Sequence, residues 1–274
     1  MPIRVLVIRF GVFAVTLLGA ASLVLALLWA APGDPIDLIP NGEELRPVLE
    51  EQWQLDRPIP VRLLHYLGNA VRGDLGTSLT YRPGMPVMTV IAAPTLRSLG
   101  WLLTALALTL VWGTALAWGT AGRRSLNRRL IQAVSIAPVF LIAHLSVNLI
   151  NEVTLSLVDG GWMARPAWFA LPGQPSAFRS ALAVVVLAVG SGALTEVRAE
   201  VENALVEIRS SGYVAAARAR AEPLWRHVFL NLVGPLTTIA ATRAAFFVGG
   251  LVILEKVLLL NGIGSILWQA ALLR

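Results

Sequence analysis

The longest stretches of this chain without an Asp, Glu, Lys or Arg constrain its fold more than any other feature. A bilayer core roughly 30 Å thick needs about 20 apolar residues as helix; four charge-free stretches approach or exceed that length, and a fifth does so with one arginine inside it. The first lies between Arg9 and Asp34, the second between Arg97 and Arg123, and the third between Arg129 and Glu152. The fourth, between Arg179 and Glu196, holds only 16 uncharged residues. It spans if Arg179 snorkels or if the helix continues into the charged stretch beyond. The fifth runs from Val228 to Leu254 and carries Arg243 inside it. With 56% hydrophobic and 14% charged residues, the chain needs lipid around it. The predicted fold class is all-α, a polytopic membrane helical bundle of about five spans.

Charge placement sets the expected orientation. The basic residues are 21 Arg and a single Lys, Lys256, and they sit between the apolar runs rather than clustering on a soluble face, so nucleic acid is not the expected partner. Arg4 and Arg9 at the N-terminus, and Arg123, Arg124, Arg128 and Arg129 between spans two and three, have no acid among them. Both segments belong in the cytoplasm. The segment after span one mixes many acids with fewer Arg and belongs outside. The expected organisation is a first span over 1–31, an outer segment over 32–94 and a core over 95–274, with a cytoplasmic link between spans four and five over about 196–227.

The chemistry available to the chain is limited. It has no cysteine, which excludes disulfides and thiolate ligands. His65, His144 and His227 lie far apart, so no metal site and no catalytic residue is expected. None of the spans bounded by these gaps contains an acid, which argues against an intramembrane enzyme. A secondary transporter should show inverted repeats and in-span carboxylates, and neither is visible.

The connecting segments are more informative. Leu63, Leu64, Leu67, Ala70 and Val71 recur at helical spacing, with Arg62, His65 and Asn69 on other faces, predicting a short amphipathic helix on the membrane surface. His65 reads there as a polar-face residue or a ligand. Trp162 and Trp168 in the second outer loop suggest interfacial anchoring. In the third span, Pro138, His144, Asn148 and Asn151 require a face turned toward protein or water. From Thr195 to Arg220 few residues break a helix, so the fourth helix should run on, turn near Ser210 to Gly212 and restart as AAARARA. That short element is either a docking surface for another protein or a solvated linker.

These residues resemble, in order and over nearly the whole chain, the membrane permease subunits of binding-protein-dependent ABC importers of the dipeptide, oligopeptide and nickel class. APGDP at Ala31 to Pro35 follows the first span as in that family, and Leu55 to Leu79 matches its outer segment almost residue for residue. PTL at Pro94 to Leu96 opens the second span. Trp225 to Gly264 keeps the family spacing through Asn231, Pro235, Gly249, Gly250, Glu255, Gly262 and Gly264. The resemblance implies a type I ABC importer permease in the bacterial inner membrane, multi-pass with the N-terminus cytoplasmic. It implies a second homologous permease that shares the translocation path for peptides, nickel or a related small solute. Two cytoplasmic ATPase subunits would bind ATP and Mg, this chain binding no cofactor itself. The ATPase-docking loop falls on Glu207, Tyr213, Ala217, Arg218, Ala219, Arg220 and Ala221. An extracytoplasmic solute-binding protein would dock on the outer segment, with Asp34, Asp56, Arg57 and Asp74 as candidates, and Arg243, Asn148 and His144 are candidates to line the path.

Three departures stand beside the resemblance. Ala221 replaces a family Gly, about one helical turn is missing before Trp225, and Glu222-Pro223 is left to make the turn. Arg243 stands where an uncharged polar residue is usual. It either meets an anionic group of the solute or forms an ion pair with the partner subunit or snorkels. The family also continues past the Asn261 to Gly264 turn into a sixth span. The expectation here is five spans ending outside, with the sixth truncated, supplied by a partner or lost. An uncoupled or degenerate importer relative with a structural or regulatory role is the alternative function.

Overall fold

The structure, a computed structural model, describes residues 3–30, 36, 44, 46–47, 50, 57–78, 81–120, 137–164 and 177–273. Those residues form nine helices: α1 (Ile3–Ala30), α2 (Ile59–Val71), α3 (Val87–Thr120), α4 (Val139–Asp159), α5 (Ala177–Val189), α6 (Ala193–Ser210), α7 (Gly212–Ala219), α8 (Leu224–Val257) and α9 (Ile263–Leu272). Four of them contain stretches long and apolar enough to cross a membrane, at Val7–Leu27, Val87–Trp118, Val139–Asp159 and His227–Val257. The bent pair α5–α6 makes a fifth. The all-α fold of four to five spans agrees with the charge-free gaps.

The chain divides into two compact units, residues 1–92 with 269–274, and residues 93–268. In the first, α1 packs on α2. None of the residues of its Val7–Leu27 stretch is buried by the described residues, the behaviour of a helix whose solvent is lipid. Helix α2 starts behind Pro58, whose carbonyl accepts the Val61 and Arg62 amides. Its apolar Leu64 and Val71 remain uncovered by described residues. A tight turn then follows: Ser78 N–H donates to the Met85 carbonyl at 2.8 Å and Val87 N–H to that of Gly76 at 2.9 Å. It leads directly into α3, which therefore begins at Val87, not at Pro94. Pro94 lies inside the helix and is buried.

The second unit is built around α8, which packs on α4, α5, α6 and α7. Its 34 residues make it about 51 Å long, more than the roughly 30 Å of hydrocarbon it has to cross. Two separate apolar clusters form along it. One gathers Leu102 and Ala105 of α3, Val139 and Ala143 of α4, Val186 and Leu187 of α5, and Phe247, Leu251 and Leu254 of α8. The other gathers Ala117 of α3, Val197, Val201 and Leu205 of α6, Val214 of α7, and Val228, Leu232 and Ile239 of α8. Between membrane helices, packing and close approach hold the contact rather than water exclusion. Gly113 shows this: a Cβ there would lie 2.5 Å from Val197 Cγ1, so only glycine admits α6 at that distance.

The fourth span differs from its sequence reading. It does not continue straight into the charged stretch but breaks at Gly190–Gly192, and α5 and α6 meet at 46°. Ser191 (φ 50°) and Gly192 (φ 77°) are both left-handed. The spans also outrun the gaps between charges. Helix α4 includes Glu152 and Asp159, and α8 includes Glu255, so acids do lie within the membrane-crossing helices.

Candidate functional site

The α6–α7–α8 connection is the best-defined polar structure in the second unit. Helix α6 ends where Ser211 turns extended (φ −69°, ψ 147°), with the Ser211 hydroxyl donating to the Ile208 carbonyl at 2.5 Å. The Ser211 carbonyl then accepts the Val214 and Ala215 amides and starts α7. The expected turn and restart fall where the run of helix formers is broken by Ser210-Ser211-Gly212. Of the expected docking residues, Ala217 is buried, and with Val214 it fastens α7 to the chain. Glu207, Tyr213, Arg218, Ala219, Arg220 and Ala221 are exposed. One face of this short helix is therefore anchored and the other is free.

The end of α7 explains the Gly-to-Ala departure. Ala221 adopts φ 53°, its N–H donates to the Arg218 carbonyl at 3.1 Å, and the Glu222 N–H donates to the Ala217 carbonyl at 3.0 Å. This is a Schellman cap, in which the left-handed position favours glycine. The alanine holds that geometry against its own Cβ. Glu222 then ties the turn to α8. One carboxylate oxygen accepts from Arg220 Nε at 2.7 Å and the other from His227 Nε2 at 2.8 Å. The Arg220 hydrogen bond holds the Glu222 carboxyl below the usual carboxylate range, and the same pairing raises Arg220. The residues gave a signal for this link, since Glu222 stands five positions before His227 across a proline.

Arg243 finds its acidic partner within its own chain, an option the sequence reading left out. Its guanidinium pairs with Glu196 and lies 3.7 Å from Glu200 Oε1, both on α6. The arginine is buried. The break at Gly190–Gly192 brings the first turns of α6 beside the middle of α8, and no spacing in the sequence announces that.

A second cluster, with Ser98 and Glu255 buried at its centre, joins α3 to the turn after α8. Arg97 Nε donates to the Asn261 carbonyl at 2.9 Å, and Ser98 Oγ donates to Glu255 Oε1 at 2.5 Å. Ser98 Oγ also accepts the Ile263 amide, and Glu255 Oε2 accepts that of Ser265. Gly262 and Gly264 close over the carboxylate, where any Cβ would collide with it. A serine and a carboxylate committed in this way hold a turn and start α9; they are not a nucleophile and base.

The remaining expected residues are not brought together. His144 and Asn148 are exposed on α4, one turn apart. Arg57 and Asp74 are exposed in the first unit, where Asp74 Oδ1 caps the Gly76 amide at 2.9 Å. Asp34 and Asp56 lie outside the described residues, as do the APGDP segment, Arg123 to Arg129 and Trp168. Trp162 is exposed at the end of α4. Among the described residues, no group of three His, Asp or Glu is placed to hold a metal.

An all-α chain with several helices long and apolar enough to cross a bilayer has the architecture of a multi-pass membrane protein. No family model matches it. A peptide permease protein of Brucella suis biovar 1 is 31% identical over 271 residues, covering 93% of this chain and 82% of the relative. One of Brucella ovis is 31% identical over 270 residues, with the same coverage. The glutathione transport system permease protein GsiC of Salmonella typhimurium is 27% identical over 271 residues, covering 92% of this chain and 81% of the relative. The chain belongs to the permease subunits of ABC importers of the dipeptide and oligopeptide class.

Proposed function

We propose that this chain is one of two paired membrane subunits of an ATP-driven importer of peptides or peptide-like solutes. It would lie in the bacterial inner membrane with its N-terminus in the cytoplasm. The observation that carries the coupling is α7: a short helix anchored by Val214 and Ala217, with Tyr213, Arg218 and Arg220 turned outward. The anchored face transmits displacement, and the free face offers an aromatic ring and guanidinium groups to a partner. On this reading the partner is a cytoplasmic ATPase, where ATP and Mg²⁺ bind, and one ATPase serves each membrane subunit. The solute-binding protein docks on the opposite side, on the segment that holds Arg57 and Asp74. The exposed polar pair His144 and Asn148 on α4 faces the path, since lipid would oppose it. The names of the relatives, peptide permease and glutathione transport permease, support a peptide-like solute.

The test is purification of the tagged chain from its native host in mild detergent. A second permease and two ATPases should accompany it, and Arg218→Glu with Arg220→Glu should release the ATPases but not the second permease. A chain that purifies alone, with no ATPase retained, is an uncoupled relative and overturns the proposal.

A further inference from the structure

Helix α2 has a covered face and an uncovered one. Arg62, Leu63, Tyr66, Leu67, Asn69 and Ala70 are each partly covered, whereas Val61, Leu64, His65, Gly68, Val71 and Arg72 are exposed. At about 100° per residue each set falls on one contiguous arc of the helix. Leu63, Leu67 and Ala70 therefore face one way and Leu64 and Val71 another, although their spacing reads as a single apolar face.

The exposed arc is apolar over most of its width. Leu64 and Val71 are 72% and 82% exposed, and a Cβ on Gly68 would meet nothing within 4 Å. His65 and Arg72 lie along one edge of that arc, next to Asn69 and Arg62 on the covered one, so the basic and amide side chains form a single strip. An apolar stripe with a polar rim marks a contact with protein or with membrane.

Two observations select the membrane. Helix α2 packs on α1, and on α1 the partly covered residues Ala21, Ser22, Leu25 and Ala26 recur at helical spacing inside the Val7–Leu27 membrane-crossing stretch. Leu23, Val24 and Leu27 of the same turns remain exposed, as lipid allows. A helix packed on the end of a lipid-solvated span sits at the edge of the bilayer, where its open apolar flank adjoins the same acyl chains. The residues from Arg57 to Gly73 also include three arginines and no acid, which suits a surface of anionic headgroups.

We infer that α2 lies in the plane of the membrane, in the leaflet that faces away from the cytoplasm. Val61, Leu64, Gly68 and Val71 rest on acyl chains, the Leu63 and Leu67 side packs on α1, and the strip with His65 and Arg72 meets the headgroups and water. The side of the membrane rests on the orientation proposed above, which puts the end of α1 outside. A docking solute-binding protein would then reach α2 only along its polar strip.

The chain has no native cysteine, so single spin labels can be placed without background. The assembled importer in nanodiscs containing anionic lipid, labelled at Val61→Cys, Leu64→Cys, Val71→Cys, His65→Cys or Arg72→Cys, would be probed by collision with oxygen and with a water-soluble nickel chelate. The first three sites should favour oxygen severalfold, and the last two should favour the chelate. Low collision with both reagents at Val61, Leu64 and Val71 would show a protein partner on the stripe and overturn the inference. Free access of the chelate to those three sites would show water there and overturn it equally. A membrane-impermeant maleimide should modify Arg72→Cys in intact spheroplasts. Modification only after permeabilisation would sink the orientation reading, and the collision pattern would still decide whether the stripe lies on lipid.

Discussion

Ser98 and Glu255, 157 positions apart, share a buried hydrogen bond of 2.5 Å between α3 and α8. The serine also accepts the Ile263 amide at 2.9 Å, so one hydroxyl serves a carboxylate and a backbone group at once. Ser98→Ala leaves the Ile263 amide without that partner and takes one hydrogen bond from the Glu255 carboxylate, which keeps the Ser265 amide. Each buried group left unsatisfied costs about 1–3 kcal/mol. The detergent-solubilised chain should therefore unfold at a lower temperature than the wild type, and Ser98→Thr, which keeps the hydroxyl, should recover part of the loss. An unchanged midpoint for Ser98→Ala would remove this cluster from the account of what holds α9.

The strained end of α7 gives the opposite sign. Ala221 holds φ 53° in a cap that suits glycine. A left-handed non-glycine residue costs about 1–2 kcal/mol, partly offset by the greater freedom of glycine in the unfolded chain. Ala221→Gly should raise stability by up to about 1 kcal/mol, read as a higher midpoint or as slower amide exchange at Glu222. A lower midpoint would show that the geometry is not strained.

The number of spans, the turn at Ser210 to Gly212 and the restart of α7 were legible because each depends on local composition: charge-free length, helix formers and breakers. The partner of Arg243 was not, because it depends on a 46° bend that brings α6 beside α8. Sequence spacing shows Glu196 and Arg243 as 47 residues apart and unrelated. Glu255 was visible as a residue of the family pattern, but its role was hidden, since Ser98 comes from a distant helix. The glycine substitution at Ala221 was visible as a departure, and only the backbone angle says what it does.

Gly113 tests whether close approach holds α3 to α6. A Cβ there would stand 2.5 Å from Val197 Cγ1, 3.0 Å from its Cβ and 3.4 Å from the Arg198 amide nitrogen. The first two atoms belong to a β-branched side chain with little rotamer freedom, so Gly113→Ala must move a helix. Overpacking of this kind costs about 1–3 kcal/mol. Val197→Ala should relieve it, so the double variant should be more stable than Gly113→Ala alone, measured by thermal unfolding in the same detergent. Additive losses would show that the contact does not limit the approach.

The Glu222 bridge makes a prediction about pH. Arg220 holds the Glu222 carboxyl below its ordinary value, chiefly through their hydrogen bond. A carboxylate whose folded pKa is depressed contributes its pairing above the unfolded pKa and loses it as pH falls through the folded one. The raised pKa of Arg220 acts only on the far alkaline side, so the working range keeps the bridge intact and acid removes it. Both groups are at the surface and are screened by salt, so the effect should be seen in the titration rather than in global stability. With the Glu222 carboxyl carbon followed by NMR, Arg220→Gln should move its midpoint upward toward that of an ordinary glutamate, and high salt should move it the same way. A midpoint that ignores both would place the cause of the depression elsewhere than in Arg220.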